Sequence, residues 1–294
     1  MISRTIKCAS TSAPAPPPPT TYSQLIHEAR TAFRSYRQTH SAPPPSSHHH
    51  RLTLHIPTSP DHTFDDAITP FDEGEWPGGI RQQFRALRPL VDAFLDGYDA
   101  PFLGFIESPA DGLGLWSSQL QQAPQQPFTL VTLVSNATFA PFVKLLEGKY
   151  GSKILDDGHM VIVVNPSWTT SNDIGQFWDK ELKRKASQII GTVTPDSTAT
   201  TTEWVSLCHY EDVRTAAGAC GVLWRRYPFP WQLYATSERD DDDGEVVFTL
   251  ESENLLLEDG GNSSATTRPD TARIISLLNE DYKGNSTEKG GKWL

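Results

Sequence analysis

Positive charge is scarce in this 294-residue chain: 25 Lys and Arg stand against 36 Asp and Glu, for a formal net charge of −11. General nucleic-acid binding needs clustered cations to displace counterions, so the balance argues against it. Long apolar runs are missing too. No stretch approaches the roughly 20 apolar residues needed to span a bilayer, which suits a soluble protein. Cysteine is sparse: Cys8, Cys208 and Cys220 are an odd set at spacings that build neither a disulfide framework nor a zinc knuckle, as expected in a reducing compartment. The sequons at Asn136, Asn262 and Asn285 follow no apolar signal core and are what a Ser- and Thr-rich chain yields by chance.

Catalytic motifs are also lacking. No Gly-x-x-x-x-Gly-Lys-Ser/Thr loop and no Gly-x-Ser-x-Gly elbow occurs. Gly112-Leu-Gly114 begins a dinucleotide fingerprint, but Ser117 stands where the third glycine belongs. "HEART" (residues 27–31) has Thr31 in place of the second zinc-protease histidine. In "ERDDDDGE" (residues 238–245), setting Gly244 at the sixth position of a calcium loop puts Arg239 first and Leu250 twelfth, so the pattern breaks. The triple His48-His49-His50 sits in a Pro- and Ser-rich tract and reads as flexible, and "KELKRKA" (residues 180–186) reads as a solvated helix end. No metal site and no cofactor is expected.

What is present begins with the amino terminus. Residues 1–27 hold no Asp or Glu, carry Arg4 and Lys7, and are rich in Ser, Thr, Ala and Pro. That is the composition of an organelle transit peptide, so residues 1–21 are expected to be a disordered, transit-like segment. Tyr22, Leu25, Ile26, Ala29, Phe33 and Tyr36 recur at helical spacing over residues 23–37. "RLTLHIP" alternates as a strand and stops at Pro57, and a long polar loop follows to Trp76. Ile80, Phe84, Leu87, Val91 and Phe94 predict a helix that Pro89 should kink or restart. "PFLGFI", "FTLVTLV" and "MVIVV" are strands. They alternate with helical stripes at Phe139–Phe142–Val143–Leu146–Tyr150 and at Ile174–Phe177–Trp178–Leu182–Ala186–Ile189.

Strands apolar on both sides between amphipathic helices predict a parallel sheet covered on both faces. "EWVSLCHY", "CGVLWRRY", "WQLYA" and "EVVFTLES" are β-rich with only loops between them, too close for parallel crossovers and therefore antiparallel. A last helix is predicted over residues 269–282, then a disordered tail over 283–294. The fold expectation is a single α/β domain over residues 22–282. It is a three-layer mixed sheet, with a parallel first half, an antiparallel second half and helices on both faces.

Ligands of open α/β sheets sit beyond the carboxyl ends of the parallel strands. The polar residues expected there are Glu107 and Asp111 in "ESPADG", Asn136 in "SNAT", and Asn165 with Trp168 in "NPSW". "WPGGIRQ" adds Gly78 and Gly79 before a helix, with Arg81 in its first turn; free amides and a guanidinium there suit an anion. In "GVLWRRYPFPWQLY" (residues 221–234), Arg225 and Arg226 must point to opposite faces of a strand that Pro228 and Pro230 end. The expectation is that Arg225 faces inward, paired with a carboxylate or stacked on a tryptophan, with Arg226 in water and Trp231 a packing anchor.

Four blocks, "EWPGGIRQQFRALRPLV", "FIESPADGLGLW", "VIVVNPSW" and "GVLWRRYPFPWQLY", carry a resemblance. Together they are similar to a domain-of-unknown-function family of cyanobacteria, algae and plants. That family includes the plastid low-photosystem-II-accumulation assembly protein and the C-terminal extension of a plastid adenylate kinase. The match is most specific at Arg225, Pro228, Pro230 and Trp231 and at Asn165 to Trp168. The resemblance implies a soluble chloroplast protein, stromal or thylakoid-associated, and a non-catalytic factor that binds thylakoid or photosystem assembly proteins. It supplies no catalytic residues. The alternative from the residues themselves is an enzyme or sensor for a phosphorylated or otherwise anionic small molecule at the strand ends, with Glu107 or Asp111 as the acid–base group.

Overall fold

Nine strands form one sheet in the order β2-β3-β4-β5-β1-β6-β7-β8-β9, and the computed structural model describes residues 15–40, 50–58, 79–118, 126–151, 154–155, 159–176, 178–190, 204–238, 246–253 and 268–289. The strands are β1 (His50–His55), β2 (Phe102–Phe105), β3 (Gly114–Ser117), β4 (Phe128–Thr132), β5 (Met160–Val164), β6 (Val205–Arg214), β7 (Cys220–Arg226), β8 (Gln232–Glu238) and β9 (Val246–Glu253). The helices are α1 (Tyr22–Thr39), α2 (Ile80–Leu95), α3 (Phe139–Leu146), α4 (Lys180–Ile190) and α5 (Thr271–Lys289). Neighbours β4, β5, β1 and β6 run parallel. The last four strands run antiparallel in chain order.

The alternation of side chains decides which helix covers which face. In β1, Leu52 and Leu54 join Leu130 of β4 and Ile162 and Val164 of β5 under Leu25 and Phe33 of α1 and Leu87 and Phe94 of α2. The intervening residues Val131, Val161 and Val163 lie under Phe139 and Phe142 of α3 and Ala186 and Ile189 of α4. On that same second face, further along the sheet, Ile274 and Leu278 of α5 pack on Leu223 and Leu233. Both faces of β4 and β5 are therefore buried throughout, which is why these strands read as unbroken apolar runs. Each Leu or Phe removed from water here contributes about 1.5–3 kcal/mol. Gly221 lets α5 approach β7: a Cβ there would lie 2.5 Å from the Tyr234 carbonyl oxygen and 2.7 Å from a Leu278 methyl.

The α/β mixed sheet with helices on both faces is the architecture expected from the sequence. Several details differ. A short strand, β3, intervenes between β2 and β4 and makes both of those ladders antiparallel. Its four residues are buried on both sides but too few to show a period. Helix α2 runs through Pro89 without a fresh start. Helix α4 starts only at Lys180, because Gly175 adopts φ +83° and the Asp179 carboxylate accepts from the Leu182 amide; Trp178 is left 66% exposed. Helix α5 continues to Lys289, past the 282 boundary set by its apolar residues.

Two segments assigned to loose chain are packed. Pro18 and Pro19 are buried and the Pro16 carbonyl accepts from the Trp224 indole N–H at 3.1 Å. His50 opens β1 against the Tyr36 hydroxyl, 3.0 Å away. Arg225 is 3% exposed with its guanidinium 5.3 Å from the Trp231 ring centre, as expected. Arg226 departs from expectation: instead of facing water it pairs with Glu28 and lies over Phe229, because α1 covers that side of β7. Gly78, His48, His49, Phe177, the acidic run at 239–245 and residues 1–14 lie outside the described residues.

Candidate functional site

On the second face the apolar ground under α3 and α4 and that under α5 are separate clusters. The strip of sheet between them, over β1 and β6, is a cleft of about 480 Å³. Its floor is polar: Thr53 and His55 from β1, and Ser206, His209 and Glu211 from β6. One wall carries Trp168, from the loop after β5, and Trp204 before β6; the other carries Trp231, Arg268 and Thr271, the first residue of α5.

A bulge builds the floor. Thr53 pairs with Ser206 but Leu54 pairs with Cys208, so β6 holds one extra residue there. With strict alternation Ser206 would share a face with Cys208 and Tyr210, under α1. The extra residue instead puts Ser206 beside His209 and Glu211.

Beyond the bulge His55 pairs with His209, and their rings stack with centres 4.5 Å apart. His209 Nε2 lies 2.8 Å from a Glu211 carboxylate oxygen. Arg268 donates to both oxygens of that carboxylate, at 2.7 and 2.9 Å, and uses its remaining nitrogen on the Pro269 carbonyl and the Thr271 hydroxyl. Burial by itself would raise the Glu211 carboxyl, but the hydrogen bonds from His209 and Arg268 hold it well below the usual carboxylate range. Burial pushes His209 down, and burial followed by its stacked neighbour pushes His55 down to about 3. Both imidazoles are therefore neutral near pH 7. A neutral His209 bonded to a carboxylate through Nε2 carries its proton there.

Two polar atoms of this cleft are buried without a partner: Ser206 Oγ and Trp231 Nε1. Their residues are 5% and 2% exposed. Nearby, Arg51 stands behind the Trp204 wall, 6.0 Å from its ring centre, with one guanidinium nitrogen donating to the Ile189 carbonyl at the end of α4. Among the described residues no carboxylate pairs with Arg51.

Of the residues singled out from the sequence, the cleft takes in Trp168 and Trp231, while Arg225 stacks on the latter. Pro228 and Pro230 form the turn between β7 and β8. Asn165 is spent on structure: with φ +51° it clasps the end of β1, accepting from the Ile56 amide at 2.8 Å and donating to the Ile56 carbonyl at 2.7 Å. Glu107 is exposed and bound to Lys144 at 2.6 Å and Tyr150 at 3.1 Å; the Lys144 hydrogen bond lowers its carboxyl. Asn136 accepts from the Gly175 amide.

Gly79 and Arg81 are exposed at the start of α2, and Gly112, next to Asp111, lies against Ile80 of that turn. None of these four lines the cleft. A second depression between α1 and α2, lined by His27, Arg30, Arg34 and Asp96, is an open surface trough that the Arg30–Asp96 pair crosses.

Reasoning from strand ends missed Thr53, His55, Ser206, His209, Glu211 and Arg268. Their signal was present in the polar half of each alternation: "RLTLHI" places Thr53 and His55 opposite three aliphatic residues. On a central strand covered on both faces, that polar half marks a gap in the cover. Among the described residues no group of His, Cys, Asp and Glu is placed to hold a metal ion, and no helix is long and apolar enough to cross a membrane. Compared with protein-family models, with curated proteins and with solved structures, the chain matches none.

Proposed function

We propose that this protein binds an anionic small molecule in the cleft over β1 and β6. The observation that carries the reading is the pair of buried polar atoms without partners, Ser206 Oγ and Trp231 Nε1, on residues that line one cavity. A buried hydrogen-bonding group left unpaired costs about 1–3 kcal/mol, and a ligand with acceptors removes that cost. The indole N–H is a donor only, so its missing partner is an acceptor. Arg51, half-buried without a carboxylate behind one wall, and the amino end of α5 at the other favour negative charge between them. The volume is within the range of small-molecule sites. The histidine–glutamate pair is braced by Arg268, and no nucleophile is hydrogen-bonded to either imidazole among the described contacts, which favours binding over catalysis.

The test is a thermal-shift series with acetate, inorganic phosphate and 2-naphthoate on the wild type and on Ser206→Ala and Trp231→Phe. A ligand specific for the native state raises the midpoint by mass action, and the variants should lose most of that rise. Equal shifts in all three proteins would refute the site.

A second reading, a plastid factor binding thylakoid or photosystem assembly proteins, is supported by the family resemblance and by exposed leucines on both edge strands, Leu103 on β2 and Leu250 on β9. Unpaired strand edges with apolar side chains are sites of chain-to-chain pairing. Affinity purification from chloroplasts should then recover such proteins, and Leu250→Lys should abolish the recovery. A chain bearing a fluorescent tag and excluded from chloroplasts would overturn this reading.

A further inference from the structure

We infer that the cleft ligand is an aromatic carboxylate: a planar ring held among indoles, carrying one acid group toward the unpartnered donors. The inference rests on the anion reading above and adds the class of molecule. The walls supply the first half. Three tryptophans, 168, 204 and 231, border a cavity of about 480 Å³. Trp168 and Trp204 meet edge to face at 5.8 Å, and Trp231 meets His209 in the same way at 4.9 Å. Aromatic residues on both sides of a slot favour a flat aromatic body, which gains contact area with few rotors to freeze.

Charge supplies the second half. Glu211 is neutralised by Arg268 and both histidines are neutral, so the floor itself holds no free cation for the ligand. The excess positive charge is Arg51, set behind Trp204, together with the partial charge at the start of α5. That suits one negative charge rather than the two or more of a phosphate ester, whose burial would exceed the compensation at hand. A carboxylate also brings two acceptor oxygens, and the unpartnered donors are the Trp231 N–H and the Ser206 hydroxyl.

Four probes separate the parts of this inference by calorimetry on the full chain at pH 7: 2-naphthoate, its uncharged amide 2-naphthamide, acetate and inorganic phosphate. The expected result is saturable binding of 2-naphthoate, at least tenfold weaker for 2-naphthamide and for acetate. Trp231→Phe and Ser206→Ala should each weaken it by a further factor of about ten. Trp178→Ala, which alters an exposed indole outside the cleft, serves as the control and should change nothing. Phosphate or acetate binding as tightly as 2-naphthoate would overturn the aromatic inference and leave the anion site standing. Equal binding of 2-naphthamide would overturn the anion site itself. No binding by any of the four would overturn both, and Ser206→Ala would then be expected to stabilise the free protein by removing an unpaired hydroxyl.

Discussion

Replacing Arg268 by methionine should weaken the whole chain, because this guanidinium joins α5 to the sheet through one carboxylate. Two charge-assisted hydrogen bonds, at 2.7 and 2.9 Å, run from Arg268 to Glu211. Breaking a fully buried pair costs about 3–5 kcal/mol, mainly because the surviving charge is stranded. Here the side chains are 17% and 28% exposed, and Glu211 keeps its bond from His209, so water and histidine recover part of the loss. The expected cost of Arg268→Met is about 2–3 kcal/mol. Glu211→Gln should cost a similar amount. The double variant should fall about 1.5–2 kcal/mol short of the sum, since the second change removes a group already left without its partner.

Urea unfolding followed by far-ultraviolet circular dichroism at pH 7 measures all four proteins. Glu211 has its carboxyl depressed in the folded state, so its contribution is complete above the ordinary carboxylate range and fades as acid carries the pH through the folded value. That acid-dependent portion should shrink in Arg268→Met. A single-variant cost below about 0.5 kcal/mol, or strict additivity of the two changes, would refute the bracing of α5 through Glu211.

The stacked histidines give a second pH effect. With His55 near 3 when folded and about 6.5 when unfolded, the unfolded chain takes the proton first. Stability should fall as pH drops from 6.5 toward 4, by at most about 1.4 kcal/mol per pH unit for this ring and by less where the cleft lets water reach it. His55→Gln should flatten that slope, and superimposable profiles would contradict the assignment. Asn165→Ala should cost about 2–3 kcal/mol in chemical unfolding, as it removes two hydrogen bonds and leaves alanine at φ +51°. Asn165→Gly should cost less, since it keeps the backbone conformation accessible. Gly221→Ala should cost about 1–3 kcal/mol by pushing α5 off β7, read as lost amide-exchange protection over Ile274 and Leu278. The Cys208 thiol, pushed up by burial, should stay inert to a disulfide reagent until urea unfolds the chain, and prompt native-state reaction at this residue would count against its place in the core.

Apolar period alone made the layers of this fold readable. "FTLVTLV" and "MVIVV" admit no solvent face, and the Ile80–Phe84–Leu87–Val91–Phe94 stripe admits only one, so three layers follow before any coordinates are seen. β3 escaped because four residues after a glycine turn carry no period, and its pairing is set by partners 9 to 16 positions away. The cleft escaped for a different reason. Its floor depends on a one-residue bulge that changes which side Ser206 faces, and register of that kind is fixed by pairing rather than by local sequence. The switch-point rule led to the strand ends, where Glu107, Asn136 and Asn165 turn out to be tied to Lys144, Gly175 and Ile56. Of the strand-end candidates only Trp168 reaches the cavity. The Asn165–Trp168 step and the Arg225–Trp231 block nevertheless both reach it, through Trp168 and Trp231.

The hydrogen bond from the Trp224 indole to the Pro16 carbonyl sets a limit on amino-terminal trimming. Trp224 of β7 is fully enclosed on the sheet's α1 face, and its N–H loses its partner once Pro16 is removed. A protease cutting at the cysteine-containing "IKCA" step, residues 6–9, leaves that contact whole. One cutting after Pro16 takes away the acceptor of that indole N–H. A shortened chain starting between those points should melt like the full-length chain, and one starting at Tyr22 should melt lower.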